Sequence, residues 1–129
     1  MDTERKVAAL AGVGFFKGCT DRQLAEIAHL AAARSYPSGS ELCHQGDFES
    51  EVFVIVDGEA EAVRDGTVVG RVLPGEVVGE LAMLGTGRRT ASLRADGPVD
   101  VLVLDPREVD SVLATDPSAE ERLGHHDPT

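Results

Sequence analysis

Apolar residues in the first part of the chain recur at the three- and four-residue spacing of helices. A first helix is predicted over residues 4–10. A second is predicted to begin after Thr20, because Thr20 and Gln23 have the spacing of a capping box. Phe15 and Phe16, just ahead of that cap, are expected to staple the second helix onto the core. The apolar face of the second helix consists of Leu24, Ile27, Ala28 and Leu30 or Ala31.

The pattern between residues 36 and 105 changes to short apolar or alternating segments, which predict β-strands. A β-branched run at 52–56 is expected to end in a turn at Asp57-Gly58, after which residues 59–63 alternate. Asp65-Gly66 then separates two alternating runs, which is among the strongest signals for a β-hairpin. Further turns are expected at Gly39, Gly46 and Gly75.

Two more strands are predicted at 89–95 and 99–104, and a last helix at 107–114, which Pro106 opens at a position that favours proline. Many short strands with regular turns favour a barrel, sandwich or jelly roll over a parallel sheet. The polar residues 124–129 are expected to form a frayed tail. We therefore expect a single domain over residues 1–123.

Charge and composition exclude several classes of function. The net charge is −11, and there are four Phe, one Tyr and no Trp, so neither nucleic acid nor an anionic membrane is expected as a partner. No apolar run reaches the length that spans a bilayer, and the N-terminus lacks a signal-peptide pattern. Cys19 and Cys43 are too few for a disulfide framework, which favours reduced thiols and a cytoplasmic location.

One segment, 79–92, stands apart chemically and is called the cassette below; it reads Gly79-Glu80-Leu81-Ala82-Met83-Leu84-Gly85-Thr86-Gly87-Arg88-Arg89-Thr90-Ala91-Ser92. The start of a short helix presents free N–H groups that favour an anion. An arginine at the same place offers a planar fork that matches a phosphate. Glu80 beside such a pair suits a ligand that also carries a hydroxyl group, which the carboxylate can accept.

The cassette resembles that of the cyclic nucleotide-binding domain family, in which Gly-Glu-Leu-Ala is followed after a few residues by Arg-x-Ala-Thr/Ser. Here the two halves are Gly79-Glu80-Leu81-Ala82 and Arg89-Thr90-Ala91-Ser92, with the spacing seen in regulatory subunits of protein kinase A. The resemblance extends over about residues 14–114. It implies a mainly β fold with flanking helices, an antiparallel β-roll or jelly roll with N-terminal helices and a short C-terminal helix. Upstream matches are Gly39 with Glu41, Gln45-Gly46-Asp47, Gly58 and Pro74-Gly75-Glu76.

The resemblance also implies roles for individual residues in binding cAMP or cGMP. Arg89 would pair with the equatorial oxygens of the cyclic phosphate, and Glu80 would accept the ribose 2′-hydroxyl. Gly79 would allow the backbone to approach the sugar, since a side chain there would collide with it. The backbone N–H groups of Ala82 and Ala91 would donate to the phosphate. Leu81 and Val69 would be apolar walls near the sugar and base.

Thr90 bears on the choice of base. Threonine directly after the arginine resembles cGMP-dependent kinases and cyclic nucleotide-gated channels, and its hydroxyl can accept from the guanine 2-amino group. The run 87–92 also resembles hyperpolarisation-activated channels, which accept both nucleotides and favour cAMP. Thr90 therefore permits cGMP without requiring it, and the prediction is cAMP or both.

Other polar residues have simpler interpretations. Arg88 is interpreted as a solvated neighbour of Arg89. His44, placed in a strand between Cys43 and Gln45, has no partner at metal-ligand spacing, so neither a metal site nor a cupin-like metalloenzyme is favoured. Ser92 has no base at a recognisable spacing, and no catalytic residue is predicted.

The favoured function is therefore a ligand-sensing regulatory domain without catalysis or a cofactor, whose output passes to a protein effector or to a fused or partner output domain. The alternative is a domain of the same fold that has lost its ligand and acts as a protein–protein interaction module. Intact Glu80 and Arg89 argue against that alternative. The strongly acidic charge and the weak candidates for a helix that covers the base argue for it.

Overall fold

The computed structural model describes residues 1–48, 51–78 and 88–122. Two helices precede the strands and one follows them: α1 (Thr3–Ala11), α2 (Asp21–Leu30) and α3 (Pro106–Thr115). Short 3₁₀ helices occupy Gly14–Phe16 and Pro117–Arg122. The strands are β1 (Ala32–Tyr36), β2 (Glu41–Cys43), β3 (Val52–Arg64), β4 (Thr67–Val72), β5 (Val77–Val78) and β6 (Ser92–Leu104).

The helices begin where side chains satisfy their first backbone N–H groups. The predicted capping box of α2 is confirmed: Thr20 Oγ1 accepts from the Gln23 N–H at 3.1 Å, and Gln23 Oε1 accepts from the Thr20 N–H at 2.9 Å. Asp105 caps α3, whose first residue is Pro106 as the sequence predicts. Local sequence alone therefore sets these helix starts.

The strands form an antiparallel sheet in the order β1-β6-β3-β4, in which β2 also pairs with β6 and β5 with β3. The predicted hairpin between β3 and β4 is confirmed, with Arg64 paired to Thr67 across Asp65-Gly66. Both turn residues have positive φ, 52° at Asp65 and 82° at Gly66, as a two-residue hairpin of this type requires. The predicted mainly antiparallel β fold with flanking helices is confirmed.

Two apolar clusters lie on opposite faces of the central strands. In β3, Val52 and Val54 pack with the helices, whereas Phe53 and Ile55 face the interior of the roll. In β6 the same alternation continues through residues 101–104. Strands that are buried on both faces need apolar residues at consecutive positions, which explains the unbroken apolar run at the start of β3.

The predicted turn at Asp57-Gly58 is wrong, because β3 continues through Gly58. The two strands predicted at 89–95 and 99–104 are likewise one strand, β6, which continues through Gly97. The register of β3 against β6 shifts between Ile55 and Asp57 and again between Asp57 and Glu59, and Gly58 has a φ of 86°. A Cβ on Gly58 would lie 2.2 Å from the carbonyl oxygen of Pro98. A bulge of this kind bends a strand without ending it, so an Asp-Gly pair inside two paired strands does not produce a hairpin.

Strand β1 begins at Ala32, ahead of the predicted β region, which began at residue 36. Its residues Ala32–Tyr36 are mostly exposed and show no alternation of apolar and polar positions. The strand exists because β6 offers an edge for pairing, from Ala32 opposite Val103 to Tyr36 opposite Val99. His44 is likewise not in a strand, because β2 ends at Cys43.

Candidate functional site

The structure describes part of the predicted ligand site. Gly79, Glu80, Leu81 and Ala82 lie outside the described residues. The other four predicted residues are described: Arg89, Thr90, Ala91 and Val69. The geometry below therefore concerns the arginine half of the cassette and the elements that position it.

Arg89 is buried, with 5% of its surface exposed, although it carries a permanent charge. Its Nη2 donates a hydrogen bond of 2.6 Å to the carbonyl oxygen of Glu51, the residue directly before β3. Buried charges are costly unless their surroundings compensate them, so a buried arginine at a cassette position is typical of a built site. The hydrogen bond fixes one edge of the guanidinium.

The backbone of Arg89 is held as tightly as its side chain. Its N–H donates to the carbonyl of Asp47 at 2.9 Å, and its own carbonyl accepts from the N–H of Gly46 at 2.8 Å. Two reciprocal backbone bonds are the local pattern of an antiparallel pair. The turn at Gln45-Gly46-Asp47 therefore places the start of the Arg89 side chain.

The ring of Phe53 lies beneath the Arg89 guanidinium, with Cζ 5.4 Å from the ring centroid. This distance is within the range of a cation–π interaction. Phe53 is fully buried in the core of the roll, and its position on β3 is set by pairing with Val103 and Val78. The ring therefore supplies a rigid apolar floor for the charged group.

The two residues after Arg89 connect it to the sheet. The carbonyl oxygen of Thr90 accepts a bond of 3.1 Å from Arg64 Nε at the end of β3, and Thr90 itself is exposed. Ala91 is 6% exposed and belongs to the roll core. Thr90 thus lies on the surface beside Arg89, whereas Ala91 anchors the segment.

Gln45 connects the site to the β3–β4 hairpin, a contact that the sequence interpretation missed. Its side-chain Nε2 donates to Asp65 Oδ1 and its Oε1 accepts from the Asp65 N–H, both at 2.9 Å. Its backbone N–H donates to Ser92 Oγ at 2.9 Å. We call this pair of hydrogen bonds between Gln45 and Asp65 the clamp. The only sequence signals for the clamp were the turns at Gly46 and Gly66, next to its two ends.

The family profile described as the cyclic nucleotide-binding domain matches residues 33–116, well over half of the chain. The chain belongs to the cyclic nucleotide-binding domain family. The match contains Arg89 and all of the elements that hold it. The resemblance read from the cassette is therefore confirmed.

The curated relatives that this cyclic nucleotide-binding domain matches are much longer than the chain. Cyclic nucleotide-gated channel beta-3 of Homo sapiens is 30% identical over 120 residues, which cover 88% of this chain and 15% of the channel. The cGMP-dependent protein kinase egl-4 of Caenorhabditis elegans is 32% identical over 91 residues, covering 70% of this chain and 12% of the kinase. Among solved structures, cAMP-bound PfPKA-R superposes with a TM-score of 0.81 at 25% identity, covering 88% of this chain and 40% of that one.

Val69 lies on β4 of the domain, at a break in the strand register. Its neighbours Val68 and Gly70 pair with Val63 and Ala62, and the register shifts between those two partners. Val69 is 40% exposed and Val68 49% exposed. The structure thus places two valines at the surface of β4, and the assignment of Val69 as a wall of the pocket stays a prediction.

Arg88 is exposed, in keeping with its interpretation as a solvated neighbour, but it also has a structural contact. Its Nη1 donates to the carbonyl of Gly46 at 2.9 Å, and its Cζ lies 3.9 Å from the centroid of the Phe48 ring. Phe48 is itself 68% exposed. The two adjacent arginines therefore lie against different aromatic rings, one at the surface and one in the core.

His44 forms a local ion pair rather than a metal site. Its Nδ1 lies 3.1 Å from Glu41 Oε2, and this hydrogen bond raises the pKa of His44 above its ordinary value and lowers the pKa of Glu41. Among the described ranges no three His, Cys, Asp or Glu side chains gather as a metal site. Cys19 and Cys43 form no disulfide in the described part of the chain. No helix in the described part of the chain has the length and apolarity to cross a bilayer.

Proposed function

We propose that this cyclic nucleotide-binding domain binds cAMP or cGMP reversibly, with Arg89 as the residue that captures the cyclic phosphate. The observation that supports the proposal is the burial of Arg89 on the Phe53 ring with its Nη2 fixed by the Glu51 carbonyl. A guanidinium of fixed orientation matches the oxygens of a phosphate in two-point contact, which lysine does not reproduce.

Charge around the site supports an anionic ligand. Four arginines of the chain's 12 Lys and Arg residues contact the segments 46–51 or 88–90, in a chain whose net charge is −11. These residues are Arg34, Arg64, Arg88 and Arg89, of which Arg34 is paired with the Glu51 carboxylate. Arginines concentrated at one place on an acidic protein favour an anion there.

The remaining contacts follow the cassette. Glu80 accepts the ribose 2′-hydroxyl, Gly79 admits the sugar, and the N–H groups of Ala82 and Ala91 complete the phosphate cradle. Leu81 and Val69 contact the sugar and base. Thr90, which is exposed next to Arg89, contacts the purine in this proposal, and the ligand is cAMP or both nucleotides.

The domain acts in this proposal as a sensor without catalysis, and its output goes to a protein effector or to an attached output domain. A ligand can shift such a domain only by as much as its affinities for the two states differ. A cytoplasmic location fits a chain with only two cysteines, too few for a disulfide framework.

The test is thermal unfolding of the domain with and without cAMP and cGMP, for the wild type, Arg89→Lys and Arg88→Ala. A ligand that binds only the folded state adds about 2.7 kcal/mol of stability at a hundredfold excess over its Kd. We expect at least one nucleotide to raise the Tm of the wild type and of Arg88→Ala, and to raise the Tm of Arg89→Lys by much less. No shift with either nucleotide at millimolar concentration would overturn the proposal.

A further inference from the structure

Arg34 forms an ion pair with Glu51, the residue directly before β3 whose carbonyl accepts from Arg89. Arg34 Nη2 lies 3.1 Å from Glu51 Oε2 and its Nη1 lies 3.3 Å from Oε1, so the carboxylate is bound at two points. Arg34 Nη1 also donates to the Tyr36 hydroxyl at 2.9 Å. The hydrogen bonds to Glu51 and Tyr36 raise the pKa of Arg34 above its ordinary value.

Glu51 therefore has two contacts on two different groups. Its carboxylate binds Arg34, and its backbone carbonyl accepts from Arg89 Nη2 at 2.6 Å. Fixing the side chain of a residue outside a regular strand restricts its backbone as well. Arg34 thus constrains the carbonyl group that orients Arg89.

The strand register places Arg34 on the same side of the sheet as the Arg89 site. Arg34 pairs with Val101, and Val101 pairs with Ile55. Directly opposite residues in antiparallel strands point to the same face. Ile55 and Val101 both belong to the roll core that contains Phe53, the ring beneath Arg89.

We propose that Arg34 is a positioning residue for the ligand site: through Glu51 it holds the guanidinium of Arg89 in the orientation that receives the phosphate. This inference rests on the proposed function. Arranging a binding group before the ligand arrives lowers the entropic cost of binding. Because the Arg34 and Glu51 side chains are 41% and 40% exposed, the expected effect on affinity is modest.

The first experiment needs no ligand and records the guanidinium signals of Arg89 by ¹⁵N NMR in the free domain. We expect Arg34→Ala to shift the Arg89 signals and to speed rotation of the guanidinium. The matched control is Arg94→Ala, which removes a different ion pair, between Arg94 Nη2 and Glu61 Oε2 at 2.7 Å. The Arg94 side chain is 46% exposed, close to the value for Arg34. Arg89 signals that are the same in the wild type and Arg34→Ala would overturn the proposal, whether or not a nucleotide binds.

The second experiment separates positioning from simple charge. By calorimetric titration, we expect Arg34→Ala and Glu51→Gln each to weaken nucleotide binding by about two- to fivefold. If charge alone mattered, removing the Glu51 carboxylate would strengthen binding of an anion, so the sign of the Glu51→Gln effect decides. Tighter or unchanged binding by Glu51→Gln overturns the positioning role.

A double-mutant cycle tests whether the effect passes through Arg89. In an Arg89→Lys background, Arg34→Ala is expected to cause no further loss of affinity, because the oriented group is absent. An equal loss in both backgrounds would contradict the inference. A wild type that binds neither nucleotide would defeat the proposed function alone, and the NMR result would still decide whether Arg34 orients Arg89.

Discussion

Nη2 of Arg89 lies 2.6 Å from the carbonyl oxygen of Glu51, although the two residues are 38 positions apart in the chain. The acceptor is a backbone group, and the ion pair between the Glu51 carboxylate and Arg34 restrains its position. The donor is one N–H group of a guanidinium that keeps its positive charge at ordinary pH. The start of β3 therefore positions the charged end of the cassette, and the following predictions test the parts of this arrangement.

Phe53→Leu should weaken nucleotide binding as well as stability. The substitution removes the ring beneath Arg89, and a cation–π contact is worth about 0.5–2 kcal/mol. Urea unfolding should show a loss of about 1–3 kcal/mol from the altered core, and titration should show a severalfold higher Kd. The control is Phe15→Leu, a buried phenylalanine of the other cluster. It should lose comparable stability with an unchanged Kd, and equal changes in Kd would contradict the role of the ring.

Gly58→Ala should be more destabilising than Gly97→Ala, although both glycines have a φ of 86°. The strained backbone conformation alone costs about 1–2 kcal/mol per residue. At Gly58 the new Cβ would also lie 2.2 Å from the Pro98 carbonyl oxygen, whereas nothing lies within 4 Å at Gly97. The difference in free energy of unfolding, measured in urea, should therefore exceed about 1 kcal/mol. Equal losses would mean that the bulge in β3 relaxes freely.

Gln45→Ala should loosen the β3–β4 hairpin turn. Its amide satisfies both the N–H and the carboxylate of Asp65, and each such bond contributes about 1 kcal/mol. Hydrogen exchange at Asp65 and Gly66 should become faster. Ser38→Ala removes a comparable bond, to the Gly97 N–H at 3.1 Å, and should accelerate exchange at Gly97 but not at Asp65. Unchanged exchange at Asp65 in Gln45→Ala would show that the clamp has no effect on the turn.

The His44–Glu41 pair should make stability depend on pH in mildly acidic solution. Glu41 raises the pKa of His44, so the stabilisation is fully present below the unfolded value near 6.5 and is lost as pH rises through the higher folded value. The pKa of Glu41 is lowered by the same bond, so the stabilisation also disappears when Glu41 becomes protonated below about pH 4. The difference in Tm between wild type and His44→Gln should therefore be largest near about pH 5–6 and vanish by about pH 8.

A second variant, Glu41→Gln, removes the carboxylate of the same pair. It should reproduce the pH-dependent difference in Tm. A constant difference between wild type and His44→Gln across the whole range would show that the pair contributes through packing instead of charge.

Local features of the sequence were enough to predict the helices, the main hairpin and the family to which the cassette belongs. Thr20 and Gln23 satisfy each other's backbone groups within one turn, so their spacing determines the start of α2. Asp65-Gly66 adopts positive φ at both positions, a preference that belongs to the residues themselves. The cassette could be recognised because its residues are contiguous.

Long-range packing decided the rest. Gly58 and Gly97 carry the same turn signal as Gly66, yet pairing of β3 with β6 on both sides of each glycine keeps those strands continuous. Strand β1 exists because β6 offers it an edge, and the Arg34–Glu51–Arg89 contacts join three segments that no spacing rule connects. The sequence determined which groups are proposed to bind an anion, since that proposal depends on residue type and neighbours. Only the tertiary structure decided how those groups are held, because a hydrogen bond between distant segments depends on where the sheet brings them.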